Sequence, residues 1–479
     1  MHRMQAATFP LPRMTSATHR AESTRTMPAV AMKAYGSAKE MSSFFANLFR
    51  LLDDFGVRYC VLHAWEKIPQ EVVSDVDLAI HPADRSKLAK IFGLLRDMGF
   101  MPIQCFNYSV GSFYFVFSWF DGCTLQSVPL DIIFQHWRSG LSVLRVEELL
   151  ARRQRFKELW IPSLEDQFAY LLAKRTWKGK ASEEQAAGLK DLVERLGRPA
   201  AEKIASQIFP GEWSKRIVAA CLDGSIAPQL RRVRKFPWLV SVVRHPVALM
   251  RYTVGQSIRI ARRLRHPAGF VIAVVGPDGS GKDTMITALK SQLSGGFRRV
   301  KQYHWRPHFL FPKNSAPTVA NPHASPPRTA ILSSVYLLGF VLDYWIGDVL
   351  SILPAIFRSN LVIFDRYFYD VMVDPRRSRF GGPSWLARWL AGLVRRPDLI
   401  LLLDADENLM YTRKKELSVE ELRRQCQAYR DVLLEKLSTR VVRTDEDVKR
   451  SVQDATSVVV EFLYLRFATR HQQWISGEN

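Results

Sequence analysis

Along this chain the apolar positions recur at two spacings, and the change from one to the other divides it into zones. Phe44–Leu52 and Leu88–Met98 carry apolar residues at helical spacing, while Tyr59–His63 and Val76–Ile80 are short apolar runs. Phe113–Phe120 and Val128–Phe134 are aromatic and β-branched, the composition of strands on a half-buried surface. The pattern predicts helix, strand, strand, helix and further strands between Ser42 and Glu148. From Val146 to Leu230 β-branched runs are few and the spacing predicts helices. From Gly269 onward strand and helix patterns alternate, and Phe270–Val275, Leu361–Phe364 and Leu399–Leu403 are apolar throughout. Strands buried on both faces in alternation with helices imply a parallel sheet.

The expected fold class is therefore α/β, with four zones: 1–40, 41–148, 149–267 and 268–479. Residues 1–40, rich in Ala, Ser, Thr, Met and Arg, read as a disordered extension. No internal repeat is visible. No uncharged run reaches the length of a membrane span; the nearest, Ile331–Leu342, holds 12 residues, is followed by Asp343 and Asp348, and reads as a buried helix.

Composition is globular, at 47% hydrophobic and 24% charged, so the formal charge of +22 is what alters the picture. It favours anionic partners. The basic residues concentrate between Gly224 and Pro277, where no acid occurs; Arg251, Arg259, Arg262, Arg263 and Arg265 lie among Val, Leu, Met, Tyr and Ile. A basic amphipathic helix of this kind suits peripheral contact with an anionic membrane. Its aromatics are few and not interleaved, so nucleic acid is not the expected partner. Five scattered cysteines with no metal-binding spacing suit a reducing, cytoplasmic setting, with the inner membrane face as the peripheral option. Oligomeric state is not encoded in any feature of the sequence.

The chemistry concentrates after Val271. The strand Phe270–Val275 runs into Gly276-Pro-Asp278-Gly279-Ser280-Gly281-Lys282-Asp283-Thr284, and a helical pattern follows over Met285–Leu293. Strand, glycine-rich loop, lysine and helix in this order form a phosphate cradle: loop amides and the helix N-terminus converge on phosphate oxygens, and Lys282 reaches the β and γ phosphates. A Ser or Thr after the lysine would supply a magnesium ligand; here Asp283 stands there and Thr284 follows, so either can serve. Asp365 ends the strand Leu361–Phe364 where magnesium or its water is held, and Arg366 faces transferring phosphate. Arg413 and Lys414 are candidates for cations on a mobile lid, with Asp374-Pro-Arg-Arg-Ser-Arg379 as the alternative.

Over about 200 residues this set resembles the thymidylate kinase family, and nucleoside monophosphate kinases more broadly. The resemblance rests on Gly276-x-Asp278-Gly-x-Gly-Lys-x-Thr284, Arg306-Pro307, Asp365-Arg366-Tyr367, Pro397-Asp398-Leu-Ile-Leu-Leu-Leu403 and Arg413. It implies an ATP- and Mg2+-dependent kinase acting on a small phosphate acceptor, dTMP-like or sugar-related. Asp278 would contact the acceptor's hydroxyl, Arg306 its phosphate and Asp365 the magnesium shell. The arginine that family members place against the base has no counterpart in Leu342-Asp-Tyr-Trp-Ile-Gly347. In that respect the match is closer to the thymidylate kinase-like proteins of bacterial surface-polysaccharide clusters.

Near the other end, Asp75 and Asp77 are two apart on a strand and share a face, and Asp131 lies on a later strand. Three such carboxylates can hold two magnesium ions. The arrangement resembles the nucleotidyltransferase superfamily, and so implies nucleotidyl transfer as an alternative activity. Where that superfamily has Gly-Ser after the first strand, this chain has Leu62-His-Ala-Trp65.

Overall fold

The computed structural model describes residues 41–68, 76–138, 141–310, 326–436 and 438–475; the extension at 1–40 and Asp75 lie outside them. Two five-stranded sheets organise the chain from residue 37 onward, which forms one compact unit.

The first sheet is mixed. It contains β1 (Tyr59–Val61), β2 (Val76–Ile80), β3 (Met101–Ser109), β4 (Ser112–Asp121) and β5 (Thr124–Ile133), in the order β1-β2-β5-β4-β3. Only β2 and β5 pair in parallel, and their register sets Asp77 opposite Asp131. The helices Met41–Asp54 and Lys87–Asp97 bury their apolar faces on this sheet: Phe44, Leu48, Leu52, Leu88 and Ile91 are almost fully enclosed. Two short hairpins follow, β6 (His136–Arg138) with β7 (Leu141–Leu144) and β8 (Gln154–Phe156) with β9 (Leu159–Ile161). The second interrupts the zone expected to be helical. The helices from Leu164 to Arg244 bury Phe168, Leu172, Leu192, Ile217 and Leu230 in a second core, which they share with Cys60, Ala79 and Ile133 of the first sheet.

The second sheet is wholly parallel: β10 (Phe270–Val275), β11 (Val300–His304), β12 (Leu361–Asp365), β13 (Leu399–Asp404) and β14 (Thr439–Arg443), in the order β11-β12-β10-β13-β14. The central strands β10, β12 and β13 are buried along their whole length, as their unbroken apolar runs require. Chain order reverses beside β10, so a crevice opens at its C-terminal end, between β12 and β13.

The helix Val448–Arg470 ties the two sheets together. Its Val459 and Leu463 share one core with Met101, Ile103 and Val116 of the first sheet and with Phe270, Ile272 and Leu401 of the second. Beyond it, Trp474 is fully enclosed in the first sheet's core, 5.0 Å from Phe113 and 5.3 Å from Phe115 between ring centres.

The expectation of a buried helix at Ile331–Leu342 is corrected. Within the helix Ala330–Gly347, Leu337, Val341 and Tyr344 pack on the sheet, but Ile331 is 81% exposed, and Val335, Leu338 and Leu342 also face outward. Counting apolar length could not tell one buried face from two. The continuous stretch Ala330–Phe357 is long and apolar enough to cross a membrane by those criteria alone, with 39% of its most apolar window buried.

Candidate active site

The loop leaving β10 is shaped by close backbone contacts. A Cβ on Gly276 would lie 2.6 Å from the Leu403 carbonyl oxygen. One on Gly279, where φ is +83°, would lie 2.4 Å from that of Met410. Neither position tolerates a side chain, so the loop seats against the chain that follows β13. It then enters the helix Lys282–Leu293, capped by Gly281 in the left-handed conformation. Gly276, Asp278, Gly279, Ser280, Gly281 and Lys282 thus fold over one helix N-terminus, where unpaired amides and the helix dipole favour an anion.

Lys282 lies inside the loop's curl, 8% exposed, donating to the carbonyl oxygens of Gly276 (2.8 Å) and Pro277 (2.7 Å). Burial, and next the Arg366 guanidinium, push its pKa down to about 7. The amine is held ready, bonded only to neutral carbonyls at hydrogen-bond distance and 3.9 Å from the Asp278 carboxylate.

Asp278 joins the loop to the element after β12. Its carboxylate accepts from Arg366 at 2.5 Å through one oxygen and from Arg377 through the other. Arg366 also reaches Asp370 at 3.1 Å, and Arg377 is tethered to Asp374. Burial opposes ionisation of Asp278, but Arg366, Lys282 and Arg377 outweigh it and hold the carboxyl below its usual range. Burial likewise disfavours charge on Arg366, and Asp370, Tyr429 and Asp278 overcome it, so the guanidinium stays charged. Arg366 has φ +67°, a strained backbone for a residue with a Cβ, directly after β12. Such strain persists only where the surroundings fix it, and the residue sits at the crevice. Arg377, within the segment Asp374–Arg379, is a site residue whose signal was visible only as a basic cluster.

Oxygen donors suited to magnesium are at hand. Asp365 ends β12 and is 8% exposed; Asp283 and Thr284, on the first turn of the P-loop helix, are solvent-exposed. Among the described residues no three metal-binding side chains cluster. That fits magnesium bound to a triphosphate, which takes one or two carboxylates and completes its shell with phosphate oxygens and water. Asp365 also accepts from His304 Nδ1 at 2.6 Å, because parallel pairing sets the two residues in register at the ends of β11 and β12. Burial raises the Asp365 pKa, and the His304 hydrogen bond together with the charges of His304, Lys282 and Arg366 more than reverses this. His304 was not anticipated: nothing local in Val300–His304 marks its last residue.

Arg306 and Arg413 are held differently from what the sequence suggested. Arg306 lies 3.5 Å from the fully buried Asp343 and 4.6 Å over the Phe340 ring, so the helix Ala330–Gly347 anchors it. Asp343 additionally accepts from the amides of His308 (3.0 Å) and Leu310 (2.6 Å), which fixes the loop after β11. Arg413 donates to the carbonyl oxygens of Thr444 (2.9 Å) and Gly279 (3.5 Å), tying the loop to the end of β14.

In the first sheet, Asp77 and Asp131 come together as the β2–β5 register requires. Asp77 is engaged through one oxygen, Oδ2, which accepts from His63 Nε2 (2.6 Å), Tyr170 Oη (2.5 Å) and Lys174 Nζ. Burial opposes its charge, and the contacts from His63 and Lys174 prevail, holding it far below the usual carboxylate range. Lys174 occupies ground that a metal shared by Asp77 and Asp131 would need. The turn after β1 places Ala64 at φ +58°.

No protein-family model matches the chain, and no curated relative matches it. Among solved structures, thymidylate kinase from Candida albicans shares 21% identity over 40% of this chain and 91% of its own, with a TM-score of 0.30. Thymidylate kinase from Ehrlichia chaffeensis shares 21% identity over 40% of this chain and 100% of its own, with a TM-score of 0.28. Likeness at this level carries no argument by itself, so the reading of the site rests on its geometry.

The Lys282 environment makes a prediction about pH. Without ligand the amine loses its proton near pH 7, whereas a bound triphosphate holds it protonated. Between about pH 7 and 9, binding must therefore take up a proton, and affinity should fall by up to about tenfold per pH unit. Calorimetry at pH 8 in two buffers of different ionisation heat should show uptake in the wild type and none in Lys282→Ala. Equal heats after buffer correction, with a flat pH profile, would contradict the assignment.

Proposed function

We propose that the chain is a phosphotransferase that moves the γ-phosphoryl group of ATP onto a small phosphate-bearing acceptor, nucleotide-like or sugar-related. The observation that carries this reading is the Asp278–Arg366–Arg377 network beside Lys282, at the helix N-terminus and C-terminal sheet edge where a triphosphate is best held. The loop amides and Lys282 hold the donor phosphates. Asp283 or Thr284, with Asp365, would hold magnesium, which neutralises charge on the phosphates when bound. Arg366 and Arg377 lie where negative charge shifts during transfer, and their fixed positions avoid reorganisation at that moment. Arg413 keeps the loop in register with β14. Asp278, held by two arginines, would contact the acceptor's hydroxyl. Nucleotidyl transfer through Asp77 and Asp131 is the less favoured reading, because Lys174, His63 and Tyr170 already crowd one oxygen of Asp77, and Lys174 brings a positive charge to it.

We also propose that the protein contacts an anionic membrane surface on the cytoplasmic side. The helix Pro246–Arg265 buries no residue, and Val247, Met250, Val254 and Ile258 form an outward stripe at helical spacing. Arg251, Arg262 and Arg265 flank it and are exposed. Arg259 and Arg263 turn inward instead, to the carbonyl oxygens of Asn107 (3.3 Å) and Phe357 (2.7 Å). An apolar stripe rimmed by arginines suits lipid tails below and anionic headgroups around them.

For the transferase reading, nucleoside monophosphates and sugar phosphates should be screened for acceptor-dependent ADP release. Lys282→Ala is expected to abolish it, and Arg377→Ala to lower kcat by about a hundredfold or more. Acceptor-dependent pyrophosphate release, or an unchanged rate in Lys282→Ala, would exclude this site.

For the membrane reading, the chain should sediment with phosphatidylserine vesicles at low salt. The triple change Arg251→Glu, Arg262→Glu and Arg265→Glu should remove most of the bound fraction, at roughly 1 kcal/mol per arginine. No sedimentation of the wild type at low salt would end the proposal.

A further inference from the structure

A cavity of about 460 Å³ lies between the first sheet and the N-terminal edge of the second. It belongs to neither end of the active-site crevice. Its far wall is formed by Arg298, Arg358 and Ser359, which precede β11 and β12, whereas the P-loop follows the C-terminal end of β10. Ser359 and Asp365 are six positions apart, at opposite ends of β12, a span of about 20 Å.

The lining has a consistent chemistry. Asp77 and Asp131 lie on one wall, with Lys174 already neutralising Asp77. Arg263, Arg298 and Arg358 also line the cavity, the first half-buried and the other two open to solvent. Among the described residues no carboxylate forms an ion pair with any of the three. Arg263 is fixed by the Phe357 carbonyl oxygen and Ser359 Oγ (2.8 Å) and stacks 4.4 Å over the Phe106 ring, so it cannot swing out to relieve the crowding. Burial, then the neighbouring Arg259 and Arg298, lower its pKa to about 10.

A second observation points the same way. Gln104 on β3 is 3% exposed and lines this cavity, and its amide nitrogen has no hydrogen-bond partner. A buried donor left unsatisfied is costly, and native structures retain few of them without a reason. An acceptor oxygen inside the cavity would satisfy it. Aromatic faces from Phe106, Tyr114 and Trp177 complete the wall, and the volume lies in the range of small-molecule sites.

We propose that this cavity binds a phosphorylated small molecule of nucleotide size, and does so without a metal ion. The arginines take the phosphate, Gln104 donates to a ligand oxygen, and the aromatic rings cover its body. The Lys174 ammonium supplies, at Asp77, the positive charge that a divalent ion would otherwise bring. The inference does not depend on the phosphotransferase reading, because none of its residues belongs to the P-loop crevice.

The test uses the full chain in EDTA, with inorganic pyrophosphate as the probe in titration calorimetry. Pyrophosphate should bind to the Lys282→Ala variant, in which the P-loop is disabled. In that background Arg298→Glu with Arg358→Glu should weaken binding at least tenfold, and UMP or glucose 1-phosphate should displace the probe. Gln104→Leu, which removes the unpaired amide without changing charge, should weaken binding about threefold or more while leaving the melting temperature unchanged or higher. UMP displacement would identify a nucleotide site, and glucose 1-phosphate displacement a sugar phosphate site. Binding that requires magnesium, that is absent from Lys282→Ala, that ignores the arginine changes, or that neither organic phosphate displaces would overturn the proposal.

Discussion

The Asp278 carboxylate, gripped by two arginines beside a buried lysine, is the constraint on which the site depends. Three cations, Lys282, Arg366 and Arg377, and three carboxylates, Asp278, Asp370 and Asp374, share a region with little access to water. Charges removed from water are tolerated only when their partners are fixed, since each unpaired ion would cost several kcal/mol. The network therefore locks the P-loop to the segment after β12, and it places Arg366 in a backbone conformation that an isolated chain would avoid. Lys282 is the least satisfied member. Its depressed pKa records its burial and the Arg366 charge beside it, its hydrogen bonds go to carbonyl oxygens, and a triphosphate would be a better partner.

That arrangement survives because the sheet beneath it is rigid. β10, β12 and β13 are buried on both faces, and the loop rests against the Leu403 and Met410 carbonyls, which no side chain may displace. The helix Val448–Arg470 extends this rigidity to the first sheet through a shared core. As a result the second cavity has walls from both sheets, with its Arg263 fixed by the Phe357 carbonyl oxygen and the Phe106 ring.

Sequence patterning made the phosphate loop, its strand and Asp365-Arg366 legible, because each lies in a short contiguous run whose order matters. It also placed Asp77 and Asp131 on strands that prove to be neighbours. What it could not show were partners distant along the chain. His304 meets Asp365, Arg377 meets Asp278, Lys174 meets Asp77 and Asp343 meets Arg306 only through the fold. β3 was hidden because Pro102, Gln104 and Asn107 break its alternation, and the ladder with β4 has register shifts at those places. Thr439–Arg443 alternates too briefly, and with two arginines, to read as a sheet strand. The helix Ala330–Gly347 was misjudged because an apolar run reports length and not which faces have partners.

Hydrogen–deuterium exchange with and without ATP and magnesium tests the central claim most directly, since it reads the loop's amides themselves. Peptides covering Gly276–Thr284 should become protected on nucleotide addition, together with those covering Asp365–Arg377. Protection confined to peptides of the first sheet, with the loop's exchange unchanged, would contradict the account.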